Sequence, residues 1–290
     1  MFSSPFQYRR AHSLEEAFRL FESCQDAKYL AGGHSLLPAM KLRLAQPAHL
    51  IDIGRIPQLA MLEEEGDKVH IGGLVTHARL CSEPLILRHS PLLSQAARQI
   101  ADPQVRNRGT VGGNLAHADP ASDLPAVMLA LDGRFHLQGP HGHRTVAARD
   151  FFLDLFTTAL QEGEILTAVE IEKRPGWGNS YLKYEHPASG YAVCAAACSL
   201  QLNEEGECSG LSLCFNGVSA VPFQARQVTE ALVGERLARS RIEEAVQERL
   251  EVPDPLQDSF ASGPYRARMA KVYAIRALTS AHAQASSPRD

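Results

Sequence analysis

Hydrophobic and polar positions change period along this chain, and the changes predict where helices and strands lie. Ser13-Leu14-Glu15-Glu16 has capping-box spacing and predicts an amphipathic helix that continues to about Cys24. Short apolar runs at 28–31 and 50–53 predict strands instead. Residues 1–56 are therefore predicted to form an α/β lobe.

The pattern then predicts a second lobe over residues 57–175, with Thr76 and Ser122 as helix caps. Strands are predicted at 68–72, 134–137, 144–147 and 165–171, and helices at 91–101 and 123–131. The turn-forming segment Arg174-Pro175-Gly176 is predicted to be a linker.

Residues 176–290 are predicted to fold as a C-terminal lobe in which strands come first and helices follow. The strands are predicted at 191–202 and 211–218, and the helices at 222–233, 239–250 and 265–282. Strands followed by helices indicate an α+β arrangement. The fold class expected for the whole chain is therefore α+β.

Composition narrows the function classes. The 290 residues are 44% hydrophobic and carry a net charge of −4, which argues against nucleic-acid binding. The N-terminus lacks the features of a signal peptide, and no apolar stretch reaches about 18 residues. The six cysteines include no C-x-x-C pair, so we expect reduced thiols rather than cluster ligands. These features indicate a cytoplasmic protein and leave open an association with the inner face of the membrane through partners.

Two glycine-rich segments carry the candidate chemistry. The first is AGGHS at 31–35, and the second is GTVGGN at 109–114. Paired glycines permit a positive φ and expose successive backbone N–H groups to an anion. Two such loops predict a pyrophosphate held from two sides, although either loop alone also fits a simple tight turn. The G-x-G-x-x-G and P-loop motifs are absent from the sequence.

Both loops lie within longer motifs that resemble one family, the FAD-binding medium subunits of the molybdenum hydroxylases. This family includes aerobic carbon monoxide dehydrogenase and the xanthine dehydrogenases. The matching segments are AGGHSLLP at 31–38, LIDI at 50–53, IGGLVTH at 71–77 and TVGGNLAHADPASDLP at 110–125. The resemblance implies a two-lobed FAD-binding fold of the vanillyl-alcohol oxidase type followed by an α+β C-terminal lobe.

The resemblance also implies which residues contact FAD. The first loop contributes Ala31, Gly32, Gly33, His34, Ser35 and Leu36, and the second contributes Thr110, Gly112, Gly113 and Asn114. Further contacts are implied at Thr76, His77, Asp123, Leu166, Lys183 and Tyr191. We assign no catalytic residue and no metal ligand.

Three of these positions have simpler interpretations that stay open. Asp123 fits a carboxylate that accepts ribose hydroxyls, but it also fits a charge in the first turn of a helix. Lys183 fits a cation near the flavin or a solvated strand lysine. Tyr191 fits an aromatic residue over the isoalloxazine ring or a core tyrosine. His117, His186 and Arg106 are further polar candidates without an assigned role.

The resemblance implies an oxidoreductase subunit that passes electrons from [2Fe–2S] clusters to an external acceptor such as NAD or a quinone. The implied partners are a molybdopterin-binding large subunit and a [2Fe–2S] small subunit, in a dimer of heterotrimers. Two other functions stay open. His34 in a Gly-Gly-His loop fits a stand-alone flavin oxidase. The non-enzymatic alternative is a nucleotide-binding or assembly subunit with no redox role. Residues 185–190 depart from carbon monoxide dehydrogenase proper, which is more basic there, and the substrate is not identified.

Overall fold

A computed structural model describes residues 2–287. Its first lobe is a small parallel sheet with two helices. The elements are β1 (Gln7–Arg10), α1 (Leu14–Glu22), β2 (Ala27–Leu30), α2 (Leu36–Lys41) and β3 (His49–Asp52). The strand order is β1-β3-β2, with both neighbours parallel to β3. Ser13 caps α1 as predicted, because its side chain accepts a hydrogen bond from the backbone N–H of Glu16 at 3.1 Å.

A 3₁₀ helix (Pro57–Ala60) leads into the second lobe, which alternates strands and short helices. Its first half contains β4 (Leu62–Glu65), β5 (Lys68–Gly72), α3 (His77–Ser82), α4 (Pro84–His89), α5 (Pro91–Arg98), α6 (Pro103–Arg106), α7 (Val111–His117) and α8 (Leu124–Ala130). Its second half contains β6 (Arg134–Gly139), β7 (Gly142–Ala147), α9 (Ala148–Phe151), β8 (Phe152–Asp154), β9 (Thr157–Thr158) and β10 (Ile165–Glu172). Five of these strands form a sheet in the order β4-β5-β10-β6-β7.

The third lobe is an antiparallel sheet covered by helices. Its strands, in the order β11-β12-β13-β14, are β11 (Gly178–Glu185), β12 (Ala192–Leu202), β13 (Cys208–Asn216) and β14 (Phe223–Gln224). The helices are α10 (Arg226–Leu232), α11 (Arg239–Arg249) and α12 (Gly263–Ser286). The backbones of β11 and α12 approach so closely that a Cβ at Gly178 would lie 2.0 Å from the carbonyl oxygen of Ala281.

The buried cores of the lobes are shared across their boundaries. The core of the first lobe includes Leu74 and Ile165 from the second lobe. The core of the second lobe includes Tyr181, Ala195 and Cys214 from the third. The loop before α8 is also bonded to the third lobe, because the backbone N–H of Ala192 donates to Ala121 and that of Gly217 donates to Pro120. These contacts hold the three lobes around one cleft.

Two local predictions are wrong. Ser122 does not cap α8; its hydroxyl donates to the side-chain oxygen of Asn114 at 2.7 Å, and the helix begins at Leu124. The second glycine segment is not a turn with positive φ, because Gly112 and Gly113 lie in the first turn of α7. Its cap is Thr110, whose side chain accepts from the N–H of Gly113. The Thr110 hydroxyl satisfies a free N–H group in the first turn, so a helix begins at a segment whose glycines alone suggest a loop.

Among the described residues, no helix is long and apolar enough to cross a membrane.

Candidate functional site: a cleft lined by two glycine segments

The three lobes enclose a cleft with a cavity volume of about 760 Å³. This volume lies within the range of roughly 300–1,000 Å³ that is usual for cofactor sites. All of the predicted cofactor residues except Thr76 and Lys183 line it. The sequence positions that the two glycine segments mark are therefore brought together at one place.

The two glycine segments touch each other through their backbones. A Cβ on Gly32 would lie 2.1 Å from the carbonyl oxygen of Arg108 and 3.0 Å from the Cα of Gly109. Gly112 packs on a different backbone segment, because a Cβ there would lie 2.8 Å from the carbonyl oxygen of Gly73. Only Gly33 of the paired glycines has a positive φ, +77°. The other glycines are thus required for close packing rather than for an unusual backbone conformation.

The two segments differ in the hydrogen bonding of their backbone N–H groups. In the part of the chain that the structure describes, those of residues 32–35 donate to no protein acceptor. In the second segment, the N–H of Gly112 donates to Gly73 O at 2.8 Å and that of Asn114 donates to Thr110 O at 2.9 Å. Buried or half-buried donors of a protein need partners, so the first segment fits an anionic group in the cleft.

Asp123 and Lys183 form a buried ion pair that joins the second lobe to the third. The Lys183 ammonium lies 3.0 Å from Asp123 Oδ1, and the two side chains are only 1% and 7% exposed. Lys183 also donates to the carbonyl oxygens of Gln99 at 2.6 Å and Gly190 at 2.9 Å. The hydroxyl of Tyr181 donates to the same Oδ1 at 2.7 Å. Lys183 is therefore not a solvated strand lysine, and Asp123 precedes α8 without capping it.

Burial raises the pKa of Asp123 to about 6, although Lys183 and Tyr181 act to lower it. The carboxylate is consequently ionised at neutral pH. Both of its named partners contact Oδ1, which leaves Oδ2 to accept a hydrogen bond from a ligand in the cleft.

His77 is a buried polar residue in the wall of the cleft. Burial, together with the smaller effects of the nearby charges of Arg106 and His34, lowers the pKa of its imidazole to about 4. The ring is therefore neutral at pH 7, and its Nδ1 has no hydrogen-bond partner in the described protein.

The remaining predicted residues take up several positions. Tyr191 lines the cleft and is 45% exposed, so it is not a core tyrosine. Leu166 is buried in the cleft wall. Thr76 caps α3 by accepting from the N–H of Arg79. Arg106 donates to the carbonyl oxygens of Ile100 and Ala101, each at 2.7 Å, and so braces the loop before α6.

Some lining residues were not identified from the sequence. Phe21 and Tyr29 lie in the cleft wall with their rings stacked at 4.9 Å between centroids, and the Tyr29 hydroxyl donates to Gly163 O at 3.1 Å. Residues 160–165, directly before the predicted Leu166, form another part of the wall. Tertiary contacts bring these residues to the cleft, so no local sequence motif marks them as lining residues.

Known proteins resemble this chain over nearly its whole length. Residues 4–173 match the family described as the FAD binding domain in molybdopterin dehydrogenase. Residues 179–281 match the CO dehydrogenase flavoprotein C-terminal domain. The carbon monoxide dehydrogenase medium chain of Hydrogenophaga pseudoflava is 38% identical, and the alignment covers 96% of this chain and 98% of that one. The nicotine 6-hydroxylase medium subunit of Paenarthrobacter nicotinovorans is 36% identical, with coverage of 96% and 98%.

Solved structures confirm the predicted α+β fold class. A chain of carbon monoxide dehydrogenase from Hydrogenophaga pseudoflava superposes with a TM-score of 0.94 at 38% identity, covering 98% of this chain and 99% of that one. A chain of quinoline 2-oxidoreductase from Pseudomonas putida 86 gives a TM-score of 0.94 at 30% identity, covering 99% and 100%. The chain belongs to the family of FAD-binding medium subunits of molybdenum hydroxylases of the carbon monoxide dehydrogenase type, and it is a flavoprotein subunit of an oxidoreductase.

Proposed function

We propose that this chain is an electron-transfer subunit, which receives electrons from [2Fe–2S] clusters of a small subunit and delivers them to an external acceptor such as NAD or a quinone. The observation that carries the proposal is the convergence of the two glycine segments, Asp123 and Tyr191 on one cleft. Bound FAD would supply a carrier that takes up electrons singly or in pairs. The residues of this chain would bind, orient and tune that carrier.

The first glycine segment is proposed to hold the pyrophosphate. The N–H groups of residues 32–35 donate to no protein acceptor, and Gly33 presents no side chain to the cleft. Ser35 adds a hydroxyl donor beside them. Gly112 and Gly113 are proposed to complete the other side by close packing of α7, with Thr110 and Asn114 as side-chain partners.

Asp123 is proposed to accept a ribose hydroxyl through Oδ2. Lys183, which does not line the cleft, is proposed as a positioning residue that keeps the carboxylate ionised and oriented. Tyr191 has enough exposed ring surface to lie against the flat face of a flavin. His77, Leu166 and the neighbouring Thr76 are proposed to line the remaining wall.

Relatives named as medium chains and medium subunits belong to complexes with further subunits. We therefore propose a molybdopterin-binding large subunit and a [2Fe–2S] small subunit as partners, in a dimer of heterotrimers. We also propose that the chain divides into lobes near residues 56 and 175. The second boundary is supported by the two family matches, of which one ends at residue 173 and the other begins at residue 179.

Anaerobic flavin reduction tests the proposal. The FAD-loaded chain is mixed with aldehydes, purines, N-heterocycles or carbon monoxide, first alone and then with the molybdenum and iron–sulfur subunits. Reduction by dithionite is the positive control for a redox-competent flavin. Bleaching at 450 nm is expected with an organic substrate or carbon monoxide only in the assembled complex. Rapid bleaching of the isolated chain by one of these compounds would instead identify a stand-alone oxidase.

A further inference from the structure

Three polar side chains lie together on the outer face of the second-lobe sheet, away from the cleft. They are His70 on β5, His136 on β6 and Glu170 on β10. Their neighbours on each strand are core residues, and side chains alternate between the two faces of a strand. Glu170 pairs directly with His70, and His136 lies on the other side of β10. The register of three adjacent strands thus builds the cluster.

The distances in this cluster match those between ligands of one metal ion. His136 Nε2 lies 3.3 Å from Glu170 Oε2, and His70 Nε2 lies 3.9 Å from the same oxygen. Glu65 on β4 brings a second carboxylate oxygen to 3.4 Å from His70 Nε2. Tetrahedral zinc with ligand bonds of 2.0–2.1 Å requires ligand atoms roughly 3.3 Å apart. The ligand atoms of His70, His136 and Glu170 all lie within 4.8 Å of one another, and Glu65 would join them by rotation of its exposed side chain.

Neighbouring groups orient the two most buried ligand atoms. His136 Nδ1 lies 3.3 Å from the hydroxyl of Thr145, and Nε2 is buried without a hydrogen-bond partner among the described residues. Lys68 binds Glu170 Oε1 at 2.8 Å, so Oε2 is the oxygen that faces the histidines. Outer contacts of this kind fix the ring and carboxylate orientations in metal sites.

The charge of the cluster also suits a divalent cation. Glu170 contributes a carboxylate that already pairs with the Lys68 ammonium at 2.8 Å. With Glu65 it supplies two negative charges. Lys68 balances one of them at present, and its side chain is 38% exposed and free to swing into solvent.

We propose that His70, His136 and Glu170, with Glu65 as the fourth ligand, form a zinc site that clamps β4, β5, β10 and β6 together. Two imidazoles and two carboxylates are ligands that zinc accepts. All four ligands belong to this chain, so the site needs no partner subunit. Its role would be structural, since the four ligands leave no open position for a substrate.

Calorimetric titration with zinc chloride tests the site on the FAD-loaded chain after treatment with EDTA and dialysis. The key variant is His136→Gln, and the matched control is His143→Gln, which changes an exposed histidine on the neighbouring strand β7. We expect the unchanged chain and the control to bind one zinc ion with micromolar or tighter affinity. His136→Gln should weaken binding by at least about tenfold, and Thr145→Val should weaken it by roughly 10–100-fold.

Flavin absorbance and far-UV circular dichroism report whether each variant is folded. If His136→Gln does not fold, His70→Gln on the neighbouring strand β5 and the charge-removing Glu170→Gln provide the same test. The absence of a stoichiometric zinc site in the unchanged chain would overturn the proposal. Equal zinc affinity in the folded ligand variants and the His143→Gln control would also overturn it.

Discussion

Replacing Lys183 with methionine removes one partner of the buried ion pair that joins the second and third lobes. Methionine has a similar length but no charge, so Asp123 keeps its burial and loses its cation. The carbonyl oxygens of Gln99 and Gly190 lose a donor at the same time. We expect a large loss of stability that depends on pH.

The charge component can be estimated from the pKa of Asp123. In the native protein the pKa is raised from 3.8 to about 6, so keeping the carboxylate ionised above pH 6 costs about 3 kcal/mol. Without Lys183 the pKa of Asp123 would rise above 7, so the folded variant would hold this carboxyl group protonated at pH 7. Taking up that proton costs about 4.4 kcal/mol, because the same group has a pKa of 3.8 in the unfolded chain. The difference is about 1.4 kcal/mol. Two unsatisfied carbonyl groups bring the expected total to about 3–5 kcal/mol.

The sign of the pH dependence follows from the raised pKa. A carboxyl group whose pKa is raised by folding binds its proton more tightly in the folded state, so its cost grows as the pH rises from 3.8 to the folded pKa. This cost stops growing near pH 6 in the native protein but continues to grow in Lys183→Met. The two proteins should therefore differ most above pH 7, and the charge component should vanish by about pH 5.5.

Thermal unfolding of the FAD-loaded proteins, followed by far-UV circular dichroism, measures the effect. For 290 residues, 1 kcal/mol corresponds to roughly 1.6 °C, so Tm should fall by about 5–8 °C at pH 7 and by about 2 °C less at pH 5.5. Lys41→Met, at an exposed helix end, is the control and should have little effect. Equal Tm values for the two variants at both pH values would refute the reasoning.

Three further predictions concern the cleft. Gly33→Val should lose FAD and keep its fold. The control Gly206→Val has a similar positive φ of +78° in an exposed turn and should keep FAD. Equal flavin-to-protein ratios in the two variants would contradict the proposed pyrophosphate site. Gly112→Ala should lower Tm, because its Cβ would lie 2.8 Å from the backbone oxygen of Gly73. An unchanged Tm in the melting assay would contradict this prediction and show that α7 can move away from Gly73 at little cost. His34 should not carry flavin covalently, so acid precipitation should release the yellow colour; flavin retained on the His34 peptide by mass spectrometry would favour the oxidase.

Local patterns predicted most of the elements because each pattern has a local physical cause. Ser13 and Thr76 could be predicted as helix caps because each hydroxyl accepts from a backbone N–H only three residues later, so the signal is local. Buried and more exposed side chains alternate along the strand Lys68–Gly72, because one face of the strand packs on the core. The short edge strand Gln7–Arg10 was missed, since all four of its residues are exposed and no apolar period marks it.

Positions that depend on distant contacts could not be predicted in the same way. Lys183 was placed near the flavin or in solvent, but the structure buries it against Asp123, 60 residues earlier in the chain. The His70, His136 and Glu170 cluster exists only through strand register, and no metal ligand was expected from the sequence. The Phe21 and Tyr29 part of the cleft wall likewise arises from packing between lobes.

The shared core at the boundary of the first lobe has a consequence for how this protein matures. A lobe of about 56 residues with three four-residue strands buries little surface and is marginally stable by itself, and its core is completed by Leu74 and Ile165. Ile165 is synthesised more than 100 residues after the first lobe ends. We therefore expect the N-terminal lobe to reach its full stability only after β10 has emerged from the ribosome. Cofactor capture would follow that docking, so FAD would bind only after β10 has been synthesised and not to the first lobe alone.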